Sequence, residues 1–198
     1  MYLVTFAPVA WGASKWPLPT VPIPGKVATM TPVLRSERLV LEPYLPRDEA
    51  DFVAFFQDAR VSRWMGDGPS PEEDDRALFW RIFPNVYDTS AFDVWAVREN
   101  GALVGHAEIK PTEVSGGHEL IYALAHSAWG RGLGTELANT IVAYGFDELG
   151  LSEIHATVKA ENTASLAVMT KLGFEHVRDD PNDDGSVTRV LTLRKQNL

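Results

Sequence analysis

The chain is predicted to adopt a mixed α/β (α+β) fold, built on one sheet that is not an alternating parallel one. Three observations predict it. The order of periodic segments is strand, two helices, three antiparallel strands, helix, strand, helix and two strands, which no simple β-α-β alternation produces. Asn100-Gly101 sits between two strand-like runs, the strongest short hairpin signal a sequence offers. Three alternating glycines, Gly130, Gly132 and Gly134, end one apolar run and open an amphipathic one.

Taken in order, "RLVLEPYL" (38–45) alternates as a first strand, and Pro46 opens a helix in which Phe52, Val53, Phe55 and Phe56 recur at helical spacing. Ser70 is expected to cap the next helix, with Pro71 at its first position and Glu72 and Glu73 in its first turn. Phe55 and Leu78 are expected in the core. Residues 92–98 and 103–110 form the hairpin, and 118–125 is the strand after it. A helix follows over about 132–148, with Leu133, Leu137, Ile141 and Tyr144 on one face. "SEIHATVKA" is a strand, "NTASLAVMTKLG" a helix closed by Gly173, and "FEHVRDD" and "SVTRVLTLR" a closing hairpin.

The 198 residues bound a single domain, expected over 31–198, with a core of ordinary size. Residues 1–30 differ: five prolines and no period of 2 or 3.6 mark an irregular arm or upstream extension, with Met30 as an alternative start. Its aromatics, Tyr2, Phe6, Trp11 and Trp16, could pack on the domain or on a partner subunit, which makes a homodimer conceivable. The arm lacks the basic and apolar regions of a signal peptide, and no segment reaches 18 apolar residues, so no membrane partner is expected. The absence of cysteine excludes disulfides and thiolate chemistry and fits a cytoplasmic location. A net charge of −9 argues against a nucleic-acid partner held by a basic face. It would favour a cationic small molecule. Five scattered histidines without a paired spacing give no metal site. "DPNDDG" (180–185) resembles the first half of a calcium loop, but its closing position falls on Leu191, so it reads as a polar hairpin turn.

A glycine-rich strand-to-helix junction presents unpaired N–H groups at the positive pole of the helix, a site for phosphate or pyrophosphate. Missing Cβ atoms allow close approach, and Arg131 could add a charged contact. A dinucleotide fingerprint fails, because the third glycine of G-x-G-x-x-G would fall on Thr135. A triphosphate loop is excluded, since G-K-[ST] occurs nowhere.

The segments "SERLVLEPYLPRDEADFVAFF", "GALVGHAEI", "ELIYALAHSAWGRGLGTELA" and "VKAENTASLAVMTKLGFEHV" together resemble the GNAT superfamily of acetyl-CoA-dependent N-acetyltransferases. More narrowly, they resemble its ribosomal-protein N-terminal acetyltransferase (RimJ/RimL) branch. The resemblance covers about residues 34–194. It implies a mostly antiparallel sheet of six to seven strands, splayed at its centre, with helices on both faces. The superfamily's pyrophosphate loop falls on Trp129, Gly130, Arg131, Gly132, Leu133 and Gly134, with Thr135 following; Trp129 replaces the usual Gln or Arg. The strand ending at Leu124, Ala125 and His126 is implied to meet the pantetheine arm, and a backbone N–H near Leu124 to polarise the thioester carbonyl. Asn162 is implied to contact the cofactor, and Ser165 to lie near its thiol. Many members carry a Tyr where this chain has Met169, which cannot donate a proton, so Ser165 is the substitute donor to sulfur. Its alternative is a helix-surface hydroxyl bonded within its own turn.

The expected reaction is direct attack of a primary amine on the thioester in a ternary complex, with no metal and no covalent intermediate. Glu119 is the first candidate for the base, with a solvated strand-edge role as the alternative; His118 and His126 are weaker candidates. Tyr122 and Glu119 alternate to opposite faces, so one should meet the cleft and the other core or solvent. Trp64, Trp80 and Tyr87, with Met65 and Phe83, are expected around the acceptor. That acceptor could be a protein N-terminus, an aminoglycoside-like polyamine or a small amine. A non-catalytic acyl-CoA-binding module is the alternative reading of the whole.

Overall fold

A computed structural model describes residues 31–66, 68–112 and 116–195. Expectations for the N-terminal arm lie outside these residues. Eight strands form one sheet in the order β1-β2-β3-β4-β5-β6-β8-β7. They are β1 (Leu34–Arg35), β2 (Leu39–Glu42), β3 (Asp93–Glu99), β4 (Ala102–Pro111), β5 (His118–Leu124), β6 (Glu153–Lys159), β7 (Glu175–Pro181) and β8 (Val187–Arg194). The count exceeds the expected six to seven because Leu34 and Arg35 fold back on Leu41 and Val40 as a short edge strand. The first expected strand is also shorter than "RLVLEPYL", since Pro43 has no N–H to extend the ladder.

Every neighbouring pair is antiparallel except β5 and β6. The β3–β4 hairpin turns on Asn100 and Gly101, whose φ angles of 51° and 84° are the two positive values of a primed turn. The closing β7–β8 hairpin turns through Asn182–Ser186, as expected of the polar "DPNDDG" stretch.

Helices cover both faces. α1 (Glu49–Gln57), α2 (Ala59–Ser62) and α3 (Glu72–Ile82), with a wider π turn over Phe83–Tyr87, close one core around Phe52, Phe56, Phe79 and the Val94 and Ala96 side of β3. Phe55 and Leu78 belong to it, as anticipated. α4 (Leu133–Asp147) and α5 (Thr163–Lys171) close the other core, where Leu133, Leu137 and Ile141 are fully buried against Trp95, Val97 and Ile109. β3 therefore buries alternate residues on both sides, which explains its unbroken apolar run.

One helix start differs from expectation. Pro71, not Ser70, is the cap of α3, and the Ser70 hydroxyl donates to the Asp75 carboxylate at 2.6 Å instead of to the helix backbone. No described helix is long and apolar enough to cross a membrane.

Candidate active site

The sheet opens where β5 meets β6. Only one ladder pair joins them, Glu119 with His155, and beyond it the two strands diverge. Each is held firmly from its other side, β5 by β4 over Gly105–Pro111 and β6 by β8 over its full length. Ala125 donates to Val104 on β4, so strand alternation turns the peptide groups of Tyr122 and Leu124 toward β6 and the gap. The Leu124 carbonyl, which would otherwise be orphaned, accepts from the Trp129 indole at 2.7 Å. The gap widens into a cleft of about 980 Å³.

On the α4 side, Gly130 and Gly132 have φ angles of 71° and 79°, a left-handed conformation that side chains rarely adopt. Gly132 is the cap residue of α4, and no side chain caps that helix. Its first N–H groups therefore face the cleft at the positive pole of a 15-residue helix. The acid in its first turn, Glu136, points away, accepting from the Ser36 hydroxyl, the Arg38 N–H and the Arg38 guanidinium at 2.7 Å each. A Cβ at Gly134 would meet Val168, Tyr122 and Leu124 only at 3.6–3.9 Å, which leaves the approach open. Leu124, Trp129, Gly130, Gly132, Leu133, Gly134, Thr135, Asn162 and Ser165 line the cleft.

Three expected cofactor contacts are not among the lining residues. The Arg131 guanidinium is held by both oxygens of Glu99, at 2.8 and 2.6 Å, and the Arg131 carbonyl accepts from Arg38. Arg131 therefore braces the loop from behind. Ala125 turns to β4, and the exposed His126 ring packs on Trp129 at 5.0 Å. Asn162 has a structural task besides lining the cleft: its side-chain oxygen caps α5 by accepting from the Ser165 N–H at 3.1 Å.

The catalytic candidates lie on opposite faces of the sheet. Tyr122 packs toward α4 and α5, where burial raises the pKa of its phenol, opposed by the Ser165 side chain. Glu119 lies on the other face, only 5% exposed, so it is not a solvated edge residue. Its carboxylate accepts from the Thr157 N–H at 3.1 Å and from the Thr157 hydroxyl. Burial pushes the Glu119 carboxyl up, opposed by those bonds and by Lys110. Both residues line the one cleft, contrary to the expectation that alternation would leave one outside. The slot passes through the sheet, so residues on either face reach it.

Trp64 and Met65 line the cleft, with the Arg63 guanidinium 4.6 Å over the Trp64 ring. Trp80 and Tyr87 do not. Trp80 is exposed on α3 beside Phe79 and Phe83. The Tyr87 hydroxyl donates to the Val94 carbonyl and accepts from the Tyr44 N–H, tying the π turn to the sheet. His118 is also absent from the lining, whereas the buried Met169 is part of it. Sequence reasoning missed Thr157 and the acidic rim of Glu161, Asp180, Asp183 and Asp184. Three of these acids, Asp180, Asp183 and Asp184, were in view in the rejected calcium motif, which the β7–β8 hairpin presents to the cleft.

The sequence matches the family described as Acetyltransferase (GNAT) domain over residues 38–175. The chain belongs to the GNAT family of N-acetyltransferases. It is 28% identical over 152 residues to the uncharacterized N-acetyltransferase YoaA of Bacillus subtilis, covering 74% of this chain and 84% of that one. The GNAT fold is shared with an acetyltransferase structure from Agrobacterium tumefaciens at a TM-score of 0.71 and 23% identity, over 86% of this chain and 98% of that one. It is shared as well with a spermidine N-acetyltransferase from Vibrio cholerae solved with CoA and spermine, at a TM-score of 0.68 and 16% identity, over 80% and 96%.

Proposed function

We infer that this GNAT protein is an acetyl-CoA-dependent N-acetyltransferase acting on a primary amine by direct attack in a ternary complex, as a soluble cytoplasmic enzyme of the RimJ/RimL-like branch. The observation that carries this reading is the slot through the sheet. It joins the uncapped α4 N-terminus on one face to the buried Glu119 on the other. The residues fit the cosubstrate. The positive pole of α4 and the bare Gly130 and Gly132 would take the pyrophosphate, and the open edge of β5 would take the pantetheine arm.

When bound, acetyl-CoA supplies the acetyl group: the amine nitrogen bonds to its carbonyl carbon, the C–S bond breaks, and the sulfur leaves with one proton. Glu119 takes the other proton, the one that keeps the acceptor an ammonium before attack. Its desolvation makes it a stronger base than an exposed glutamate. The Leu124 N–H, facing the gap, polarises the carbonyl, and the Ser165 hydroxyl supports the departing sulfur. The acidic rim and the Trp64 face receive an acceptor that carries positive charge. An acyl-CoA-binding module without catalysis would have no use for a buried carboxylate in the slot.

The test is release of free thiol from acetyl-CoA by the purified full-length protein, over N-terminal peptides, aminoglycosides, polyamines and free amino acids. Turnover on one class is expected. Tight binding of acetyl-CoA with no amine consumed would overturn the enzymatic reading.

A further inference from the structure

His106, Glu108 and Lys110 occupy three successive inward positions of β4, on the face covered by α1 and α3. That interface is otherwise apolar and aromatic: Phe52 and Phe56 pack their rings on His106 at 6.0 and 5.4 Å. A continuous polar line runs through it. The Tyr44 hydroxyl bonds His106 Nδ1 at 3.0 Å, and His106 Nε2 meets Glu108 Oε1 at 2.9 Å. Glu108 Oε2 lies 3.2 Å from the Lys110 ammonium. Glu108 is fully buried, and against the raising effect of that burial Lys110 and His106 hold its carboxyl down at about 2.

Burying such an anion under an aromatic layer is costly, and a hydrophobic residue would serve packing as well or better. The line ends in register with the slot, since Lys110 is the direct cross-strand partner of Glu119. Directly opposed side chains on one face of an antiparallel pair approach closely enough to interact.

We propose that Lys110 is a positioning residue for amine deprotonation: the Tyr44–His106–Glu108 line anchors its ammonium beside Glu119 and keeps that carboxylate ionised inside a desolvated slot. The proposal rests on Glu119 being the base. Glu119 is faced by Lys110 and Glu108 from β4 and by Thr157 and His155 from β6, and Arg63 and Lys159 line the same cleft. Of the cations among these, Lys110 is the one fixed by a buried counter-charge. Lys159, by contrast, reaches the Arg63 carbonyl at 3.5 Å on the exposed side.

The experiment is a titration of the full-length protein labelled with ¹³C at the glutamate carboxyls, with the Glu119 resonance assigned by Glu119→Gln. Lys110→Met is compared with the wild type, and Glu108→Gln/Lys110→Met guards against a variant that misfolds around an unpaired anion. Removing the cation disfavours the charged form, so the Glu119 midpoint rises by about one unit in Lys110→Met, rises less in the double variant, where the repulsion from Glu108 is lost as well, and returns in Lys110→Arg. With the most active amine of the panel, the acidic limb of thiol release moves up in step. The rate at a pH below the limb then falls about tenfold, while acetyl-CoA affinity is unchanged. An unshifted midpoint in both variants, with the wild type turning over, overturns this proposal alone. A shifted midpoint with no amine consumed overturns the acetyl-transfer reading, and the proposed step falls with it.

Discussion

At position 134 the proposed acetyl-CoA site gives the absence of a side chain a functional meaning. Gly134 lies within α4 with helical backbone geometry, so any residue could sit there locally. Its Cβ direction points to ordinary contact distance from Val168, Tyr122 and Leu124 and then into the cleft. Gly134→Trp therefore keeps the fold and fills the approach to the α4 N-terminus. Isothermal calorimetry is expected to show acetyl-CoA affinity reduced at least about 100-fold, equivalent to about 2.7 kcal/mol. Thermal unfolding close to wild type would show that the loss is local. Retained affinity would place the pyrophosphate elsewhere.

At the scale of the element, α5 ties stability to the site through its cap. Asn162 accepts from the Ser165 N–H, so the residue that starts the helix also sets the position of the candidate thiol partner. Asn162→Ala removes the cap at a cost of about 1 kcal/mol, and the melting temperature should fall by about 2–4 °C. Asn162→Asp caps equally well but sets a carboxylate at the cofactor side of the cleft. Its melting temperature should match the wild type, while acetyl-CoA binds more weakly at low salt. Unweakened binding in the Asp variant would reduce Asn162 to a cap.

The glycine loop, the α4 face and the β3–β4 hairpin were legible because each writes a short-range pattern: alternating glycines, an i, i+4 apolar stripe, Asn-Gly between strands. Glu119, Tyr122 and Ser165 could be named through family resemblance, but their burial and partners could not. The Arg38 brace on Glu136 and Arg131 joins residues nearly a hundred positions apart, and no local pattern records it. Trp80 and Tyr87 were misplaced because an aromatic on an early helix reads alike whether it faces cleft, solvent or core.

For the whole molecule, the slot divides the sheet into two antiparallel blocks, β1 to β5 and β6-β8-β7, joined by one parallel ladder pair and by α4 packed across both. An interior opened this way holds the Glu119 carboxyl in a poorly solvated place, and the cost falls on the stability of the entire chain. Burial raises the Glu119 carboxyl above its unfolded value, so the folded state binds that proton more tightly than the unfolded state. Its contribution is favourable below the unfolded pKa, near ~4.3, and is lost as pH rises through the folded one; at neutral pH the charged side chain is a net cost. Glu108 has the opposite sign: with its carboxyl held at about 2, it contributes stability above the unfolded value that is lost as pH falls through 2. Because Glu108 is unchanged, comparing wild type with Glu119→Gln isolates the slot. The amide can still accept from the Thr157 N–H and hydroxyl without the charge. The variant should melt on the order of 2 °C higher at pH 8, with the difference shrinking toward zero below pH 4, while losing acetyl transfer. Differential scanning calorimetry across that range decides the matter: a variant less stable at pH 8 would make Glu119 a structural anion stabilised by its neighbours, and the base would have to be sought elsewhere in the cleft.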